Sequence, residues 1–129
     1  DNTQKQLNTI KSFNIWHRSL MTLILDESKL EGKITPDAIA GEKICYYYIK
    51  NNGFLKEGEL LDNAQKLKDI PIVIIQGRYD MCCPMQTAWE LYKKIPHADF
   101  FITPDAGHKS DEPGIMEKIL EYTERYSLL

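Results

Sequence analysis

The sequence has no apolar run long enough to cross a bilayer, no basic excess and few cysteines. Its longest apolar stretches are strand-sized, far below the roughly 20 residues that a transmembrane helix needs, so we expect no membrane partner. Its net charge is −3 with Lys and Arg scattered, a pattern that does not favour nucleic acid as a partner. With 43% apolar residues among 129, the chain can still build a core.

The cysteine pattern and the first residues bear on the cellular setting. Cys45, Cys82 and Cys83 form no even disulfide framework, so we expect a reducing, cytoplasmic location. The spacings of paired Cys and paired His that are typical of zinc sites are absent, and we expect no metal. The chain begins without a methionine, a basic leader or an apolar signal region, so we expect an internal start.

The first part of the chain has helical periodicity. Apolar residues recur at three- and four-residue steps over 3–25, which predicts one amphipathic helix or two with a kink; they are Leu7, Ile10, Phe13, Trp16, Leu20, Leu23 and Ile24. The charged stretch 29–33, which contains a glycine, is interpreted as a connection.

A second helix is predicted by its end signals. Thr35 is placed to cap it, with a proline at the first helical position and an acid in the first turn. The Asn-Asn-Gly string at 51–53 tolerates left-handed backbone and predicts the helix end near residue 51. A short helix over 59–67 follows.

From residue 70 the pattern alternates between strands and helices. A β-branched run at 72–76 is typical of a strand covered on both faces. A crossover helix at 84–94, a strand at 100–103 and a helix at 113–126 complete a βαβα unit. A right-handed crossover makes the two strands parallel.

Each predicted strand is followed by a Gly-containing turn and an ionisable side chain, Asp80 after the first and His108 after the second. Functional groups of parallel sheets gather at the carboxyl ends of the strands, so we expect these side chains to meet. An Asp that orients a His is two thirds of a nucleophilic triad. The structural alternatives are that Asp80 closes a turn or caps a helix and that a loop histidine is a solvated surface residue, as we interpret His97.

The nucleophile is missing. None of the five serines lies in the G-x-S-x-G elbow that precedes Asp and His in this chain order. Cys83 is a weaker candidate, because it lies with the orienting acid and on the wrong strand for an elbow. We therefore interpret the chain as a C-terminal piece of a larger enzyme, whose partner is the upstream part of the same polypeptide.

Several strings together resemble the C-terminal part of the proline iminopeptidases. They are I-P at 70–71, G-R-Y-D at 77–80, Cys83, P-D-A-G-H at 104–108 and E-P-G at 112–114. The resemblance implies an α/β class, the C-terminal portion of an α/β-hydrolase fold: a helical cap segment, 1–67, followed by the last βαβα unit of a mostly parallel sheet, 68–129. It also implies serine aminopeptidase activity on peptides with an N-terminal proline, without metal or organic cofactor.

The resemblance also implies site residues. Asp80 and His108 match the catalytic acid and histidine, and Cys83 matches a cysteine close to the active site. His17 and Cys45 fall where the family has two glutamates that bind the substrate's free amine. Glu42, one helical turn before Cys45, is a candidate replacement for that substrate-binding charge.

Two other functions stay open. Without both glutamates, the protein is alternatively a non-catalytic α/β-hydrolase-like binding module, or an esterase or thioesterase of the same fold. The chain by itself is expected to be inactive. Apolar strand faces left exposed in it favour association into a homo-oligomer.

Overall fold

The computed structural model describes residues 2–29 and 34–128. Residues 30–33 of the predicted connection lie outside the described residues. The chain divides into a helical unit, Asp1–Ser19 with Leu25–Glu59, and a sheet unit, Leu20–Ile24 with Leu60–Leu129. Among the described residues, no helix is long and apolar enough to cross a membrane.

Two long helices dominate the first part of the chain, α1 (Asn2–Met21) and α2 (Pro36–Lys50). The predicted cap of α2 is confirmed, since the Thr35 hydroxyl accepts a hydrogen bond from the Ala38 amide at 3.1 Å. The predicted end is confirmed too: the backbone after α2 turns left-handed, with φ of 50° at Asn52 and 63° at Gly53.

Aromatic packing joins α1 to α2 within the helical unit. The Phe13 and Tyr46 rings lie 5.2 Å apart, and Ile10 is 6% exposed. None of the residues of α2 is buried. The helical unit therefore has a small apolar centre and an exposed aromatic surface.

The helix α1 ends at Met21, before the predicted limit at residue 25. The carbonyl oxygen of Met21 accepts hydrogen bonds from the amides of His108 and Lys109. The chain leaves the helix there because this carbonyl is engaged by a distant loop.

The sheet unit has the predicted βαβα order. After the single turn α3 (Glu59–Asp62) and a 3₁₀ turn (Ala64–Leu67), the elements are β1 (Val73–Gly77), α4 (Met85–Lys94), β2 (Asp99–Thr103) and α5 (Pro113–Tyr126). The strands pair in parallel, with Val73 opposite Asp99 and Gly77 opposite Thr103. The parallel sheet, predicted from the crossover, is confirmed.

Apolar side chains pack on both faces of the sheet, because the consecutive residues Phe100 and Phe101 contact Tyr92 of α4 and Tyr122 of α5. The main core cluster lies on the α4 side. Its buried residues are Ala64, Ile95 and Ala98, packed against Leu67, Ile72, Ile74, Leu91 and Tyr92. Helix α5 contributes buried Ile115 and Tyr122, and the Tyr122 ring lies 5.5 Å from Phe101. The first three residues of β1 are only half-buried, less than their β-branched pattern predicts, because the sheet of the described chain has two strands.

Candidate active site

Asp80 and His108 meet just beyond the carboxyl ends of β1 and β2. The Nδ1 atom of His108 lies 2.9 Å from Oδ2 of Asp80, across 28 residues of sequence. The Asp80 side chain is 8% exposed and that of His108 is 31% exposed. The expected meeting of these side chains is confirmed.

The other oxygen of Asp80 is held by backbone amides. Its Oδ1 atom accepts hydrogen bonds from the amides of Cys82 at 2.9 Å and Cys83 at 2.7 Å. Buried Gln76 fixes the same turn, since its Nε2 donates to the Cys83 carbonyl at 3.0 Å. The turn-closing role considered for Asp80 and its contact with the histidine are thus compatible, because each uses a different oxygen.

This hydrogen bonding assigns the imidazole tautomer. A carboxylate only accepts hydrogen bonds, so the proton of neutral His108 lies on Nδ1. The Nε2 atom is then an acceptor. Among the described residues no hydroxyl bonds to it, and this nitrogen is the position from which a general base acts.

Glycine at 77 permits the approach of the two loops. A Cβ atom there would lie 1.9 Å from the Gly107 carbonyl oxygen and 2.8 Å from that of Ala106. The Ala106 oxygen accepts the Tyr79 amide at 3.0 Å. The two loops therefore meet backbone to backbone, a contact that a side chain at 77 would block.

The segment Leu20–Ile24 packs against the histidine loop. The Met21 carbonyl accepts the His108 amide at 2.9 Å and the Lys109 amide at 3.1 Å. A Cβ on Gly107 would lie 3.0 Å from the Leu23 nitrogen. The glycine before His108 is therefore in close contact with this segment.

Cys83 lies beside the pair. One donor atom from each of Asp80, Cys83 and His108 lies within 4.8 Å of the others, a spacing that a metal ion could bridge. A metal ion bound between Oδ2 of Asp80 and Nδ1 of His108 would replace the hydrogen bond between these two atoms. The expected lack of a metal stays a prediction.

Curated relatives match most of the chain, although no protein-family model matches it. It is 37% identical over 119 residues to a probable proline iminopeptidase of Leptolyngbya boryana, covering 90% of the chain and 37% of the relative. It is 34% identical over 128 residues to the proline iminopeptidase of Xylella fastidiosa (98% and 41%) and 42% identical over 93 residues to that of Arabidopsis thaliana (71% and 24%).

The chain is a relative of the proline iminopeptidases. It spans about two fifths of the length of the first two of these relatives, 37% and 41%. The relatives imply an α/β-hydrolase fold, with which the small parallel sheet is compatible.

The other residues implied by the proline iminopeptidase resemblance lie in the helical unit. His17 is half-buried and stacks on Phe13 with ring centroids 5.7 Å apart, whereas Cys45 is exposed. Glu42 is half-buried and lines a cavity of about 470 Å³ with Tyr46. Burial raises the pKa of Tyr46, and the charges of Glu42 and Cys45 raise it further.

Three parts of the site were missed by sequence reasoning: the amides of Cys82 and Cys83, the segment Leu20–Ile24, and Glu112. The Glu112 carboxylate accepts the amides of both Gly107 and Leu23. A glutamate before a proline that opens a helix is a signal that could have drawn attention to it.

Proposed function

We propose that this chain supplies the orienting aspartate, Asp80, and the general-base histidine, His108, of a serine aminopeptidase that releases N-terminal proline from peptides. The hydrogen bond of 2.9 Å between Asp80 and His108 at the strand ends carries the proposal. The chain is then the C-terminal portion of an α/β-hydrolase, with a cap segment at 1–67 and core at 68–129. Its three free cysteines fit a reducing, cytoplasmic setting.

In this mechanism His108 transfers the proton and Asp80 holds the ring. The Nε2 atom of His108 takes the proton of a serine hydroxyl as the serine oxygen attacks the scissile carbonyl. The imidazolium gives that proton to the leaving amine, and the bond to the amine breaks. A water molecule, deprotonated by the same Nε2, then attacks the ester carbonyl of the acyl-serine, and the imidazolium returns the proton to the serine oxygen as the ester bond breaks. Asp80 stabilises the imidazolium at both stages without being protonated.

The serine is proposed to lie in a part of the fold that this sequence does not contain. Supporting this, no described serine reaches Nε2 of His108, and the chain spans 37% to 41% of the length of two relatives. Two described strands are also few for a parallel sheet. By itself the chain should be inactive.

Glu42 is proposed to bind the free amine of the substrate, and His17 and Cys45 are proposed as further substrate-binding residues because they fall where the resemblance implies the two glutamates. Its support is the half-buried carboxylate of Glu42, because a carboxylate makes a charge-assisted hydrogen bond to an ammonium group. Glu42 shares the wall of its cavity with Lys5 and Lys43. Glu42→Gln should raise KM for an amino-acyl arylamide and leave cleavage of an acetyl ester unchanged, because the ester has no amine.

The test uses the full-length protein that contains this sequence. Turnover of the p-nitroanilides of proline, alanine and leucine and of p-nitrophenyl acetate is measured before and after His108→Ala. The matched control is His97→Ala, at an exposed histidine. A proline-selective rate that only His108→Ala abolishes supports the proposal, and this chain assayed alone should give no turnover.

The other outcomes point elsewhere. Cleavage of the ester alone would favour an esterase. A lack of His108-dependent turnover on all four substrates would favour a binding module, and turnover that survives His108→Ala would contradict the proposed base.

A further inference from the structure

Glu112 occupies the N-cap position of α5, yet its side chain makes no hydrogen bond to the first turn of that helix. The carboxylate instead turns toward the loop that carries the histidine. Its Oε2 atom accepts the amide of Gly107 at 2.5 Å, and Oε1 accepts the amide of Leu23 at 2.9 Å. Both oxygens are therefore used to join two separate segments of the sheet unit.

The histidine loop is held at two consecutive backbone amides, those of Gly107 and His108. The amide of Gly107 is bound by Glu112, and the amide of His108 is bound by the Met21 carbonyl at 2.9 Å. Met21 and Leu23 belong to the same short segment, Leu20–Ile24. The backbone around His108 is thus held against that segment in two ways. One is the hydrogen bond to the Met21 carbonyl, and the other is the pair of hydrogen bonds that the Glu112 carboxylate accepts from Gly107 and Leu23.

The surroundings of Gly107 make this junction close. Gly107 is buried, and a Cβ there would lie 3.0 Å from the Leu23 nitrogen and 3.2 Å from the Met21 oxygen. An amide buried in such a contact needs an acceptor, because an unpaired one is costly. The carboxylate of Glu112 is the acceptor for both Gly107 and Leu23.

We propose that Glu112 is a positioning residue for His108: by accepting the Gly107 and Leu23 amides, it fixes the loop that aims the imidazole. The inference rests on the proposed function for its kinetic consequence. Catalysis depends on geometry to within a fraction of an ångström, and a displacement of about 1 Å can cost about 10²-fold in rate. Glu112 touches neither Asp80 nor the reacting atoms in this role.

The test is Glu112→Gln in the full-length protein. The amide side chain has the same shape, but its NH₂ group donates and cannot accept, so one of the two backbone amides loses its partner. We expect kcat for the arylamide to fall by about 10- to 100-fold with KM little changed. Glu124→Gln, at an exposed position on the same helix, should leave both constants unchanged.

A second readout does not need activity. The proton between His108 Nδ1 and Asp80 gives a far-downfield proton NMR resonance when the imidazole is protonated. Glu112→Gln should shift or broaden it, and Glu124→Gln should not. If the unmodified protein shows this resonance but hydrolyses nothing, the proposed function fails while the resonance still decides the role of Glu112.

Gly107→Ala provides an independent variant if Glu112→Gln does not fold. Its methyl group would press on the Leu23 amide and should lower kcat and disturb the same resonance. The proposal is overturned if a folded Glu112→Gln or Gly107→Ala protein keeps the kcat and the NMR resonance of the unchanged protein. A lower melting temperature with kcat and the resonance unchanged would overturn it as well.

Discussion

At the scale of single residues, the two neighbouring cysteines of the site have opposite surroundings. Cys83 is exposed, with its donor atom within 4.8 Å of those of Asp80 and His108. Cys82 is half-buried, and its sulfur lies 3.9 Å from the Leu20 carbonyl. Burial raises the pKa of Cys82, and the charge of Asp80 raises it further. Since a thiolate is the reactive form, Cys82 stays protonated to higher pH than an ordinary cysteine.

Alkylation should distinguish the two thiols. With iodoacetamide at neutral pH, we expect Cys83 to be modified before Cys82, and the rate at Cys82 to rise only at higher pH. Peptide mass spectrometry of the full-length protein measures this order.

Modification of Cys83 should also block turnover, because a group added to its sulfur would crowd the histidine. Cys83→Ser should keep most of the rate and resist the reagent, whereas the matched variant Cys45→Ser should remain as sensitive as the unchanged protein. Earlier modification of Cys82, or inhibition undiminished in Cys83→Ser, would contradict this description.

At the scale of the elements, the end of β1 depends on the absence of a side chain at residue 77. A Cβ there would lie 1.9 Å from a backbone oxygen of Gly107, an atom that cannot rotate away. Gly41, inside α2, has nothing within 4 Å of its Cβ position. The same substitution therefore meets a backbone clash at Gly77 and open space at Gly41.

Gly77→Ala should destabilise the full-length protein by about 1–3 kcal/mol or more, as overpacking does. Gly41→Ala should stabilise it by up to about 1 kcal/mol, because alanine is the better helix former. Urea unfolding midpoints measure both changes. Equal midpoints for Gly77→Ala and the unchanged protein would show that the loops do not meet as described.

The order of the elements could be predicted from the sequence, because caps and periodicity are local signals. The Thr35 cap, the helix end at 51–53 and the parallel strands follow from such signals. The end of α1 at Met21 does not, since it depends on hydrogen bonds to His108 and Lys109. The partial burial of β1 also depends on what else joins the sheet, which no local pattern encodes.

At the scale of the whole molecule, the candidate site is assembled from distant parts of the chain. The meeting of Asp80 and His108 could be predicted, because parallel strands bring their carboxyl ends to one edge. The bond from Leu23 to Glu112 spans 89 residues and leaves no periodic trace in the sequence. Only the packing of the sheet unit brings these two residues together.

The proposed site residues are divided between the two units of the chain. The helical unit carries the residues proposed to bind the amine, and the sheet unit carries the proposed acid and base. The relatives are more than twice as long as the matched segments, which supports a nucleophile contributed by sequence outside these 129 residues. The cap and core roles of 1–67 and 68–129 stay predictions, as does association into a homo-oligomer.

The most direct test of the central claim is a double-mutant cycle on kcat for prolyl p-nitroanilide in the full-length protein, with His108→Ala, Asp80→Asn and both together. The asparagine keeps an oxygen for the Cys82 and Cys83 amides. It places its NH₂ group, which donates and cannot accept, against Nδ1 of His108. Each single change should cost about 10⁴-fold, and the double variant should lose little more than His108→Ala alone, because the pair acts as a unit. Losses that multiply, or a near-normal rate in either single variant, would contradict the claim that these two residues form one catalytic couple.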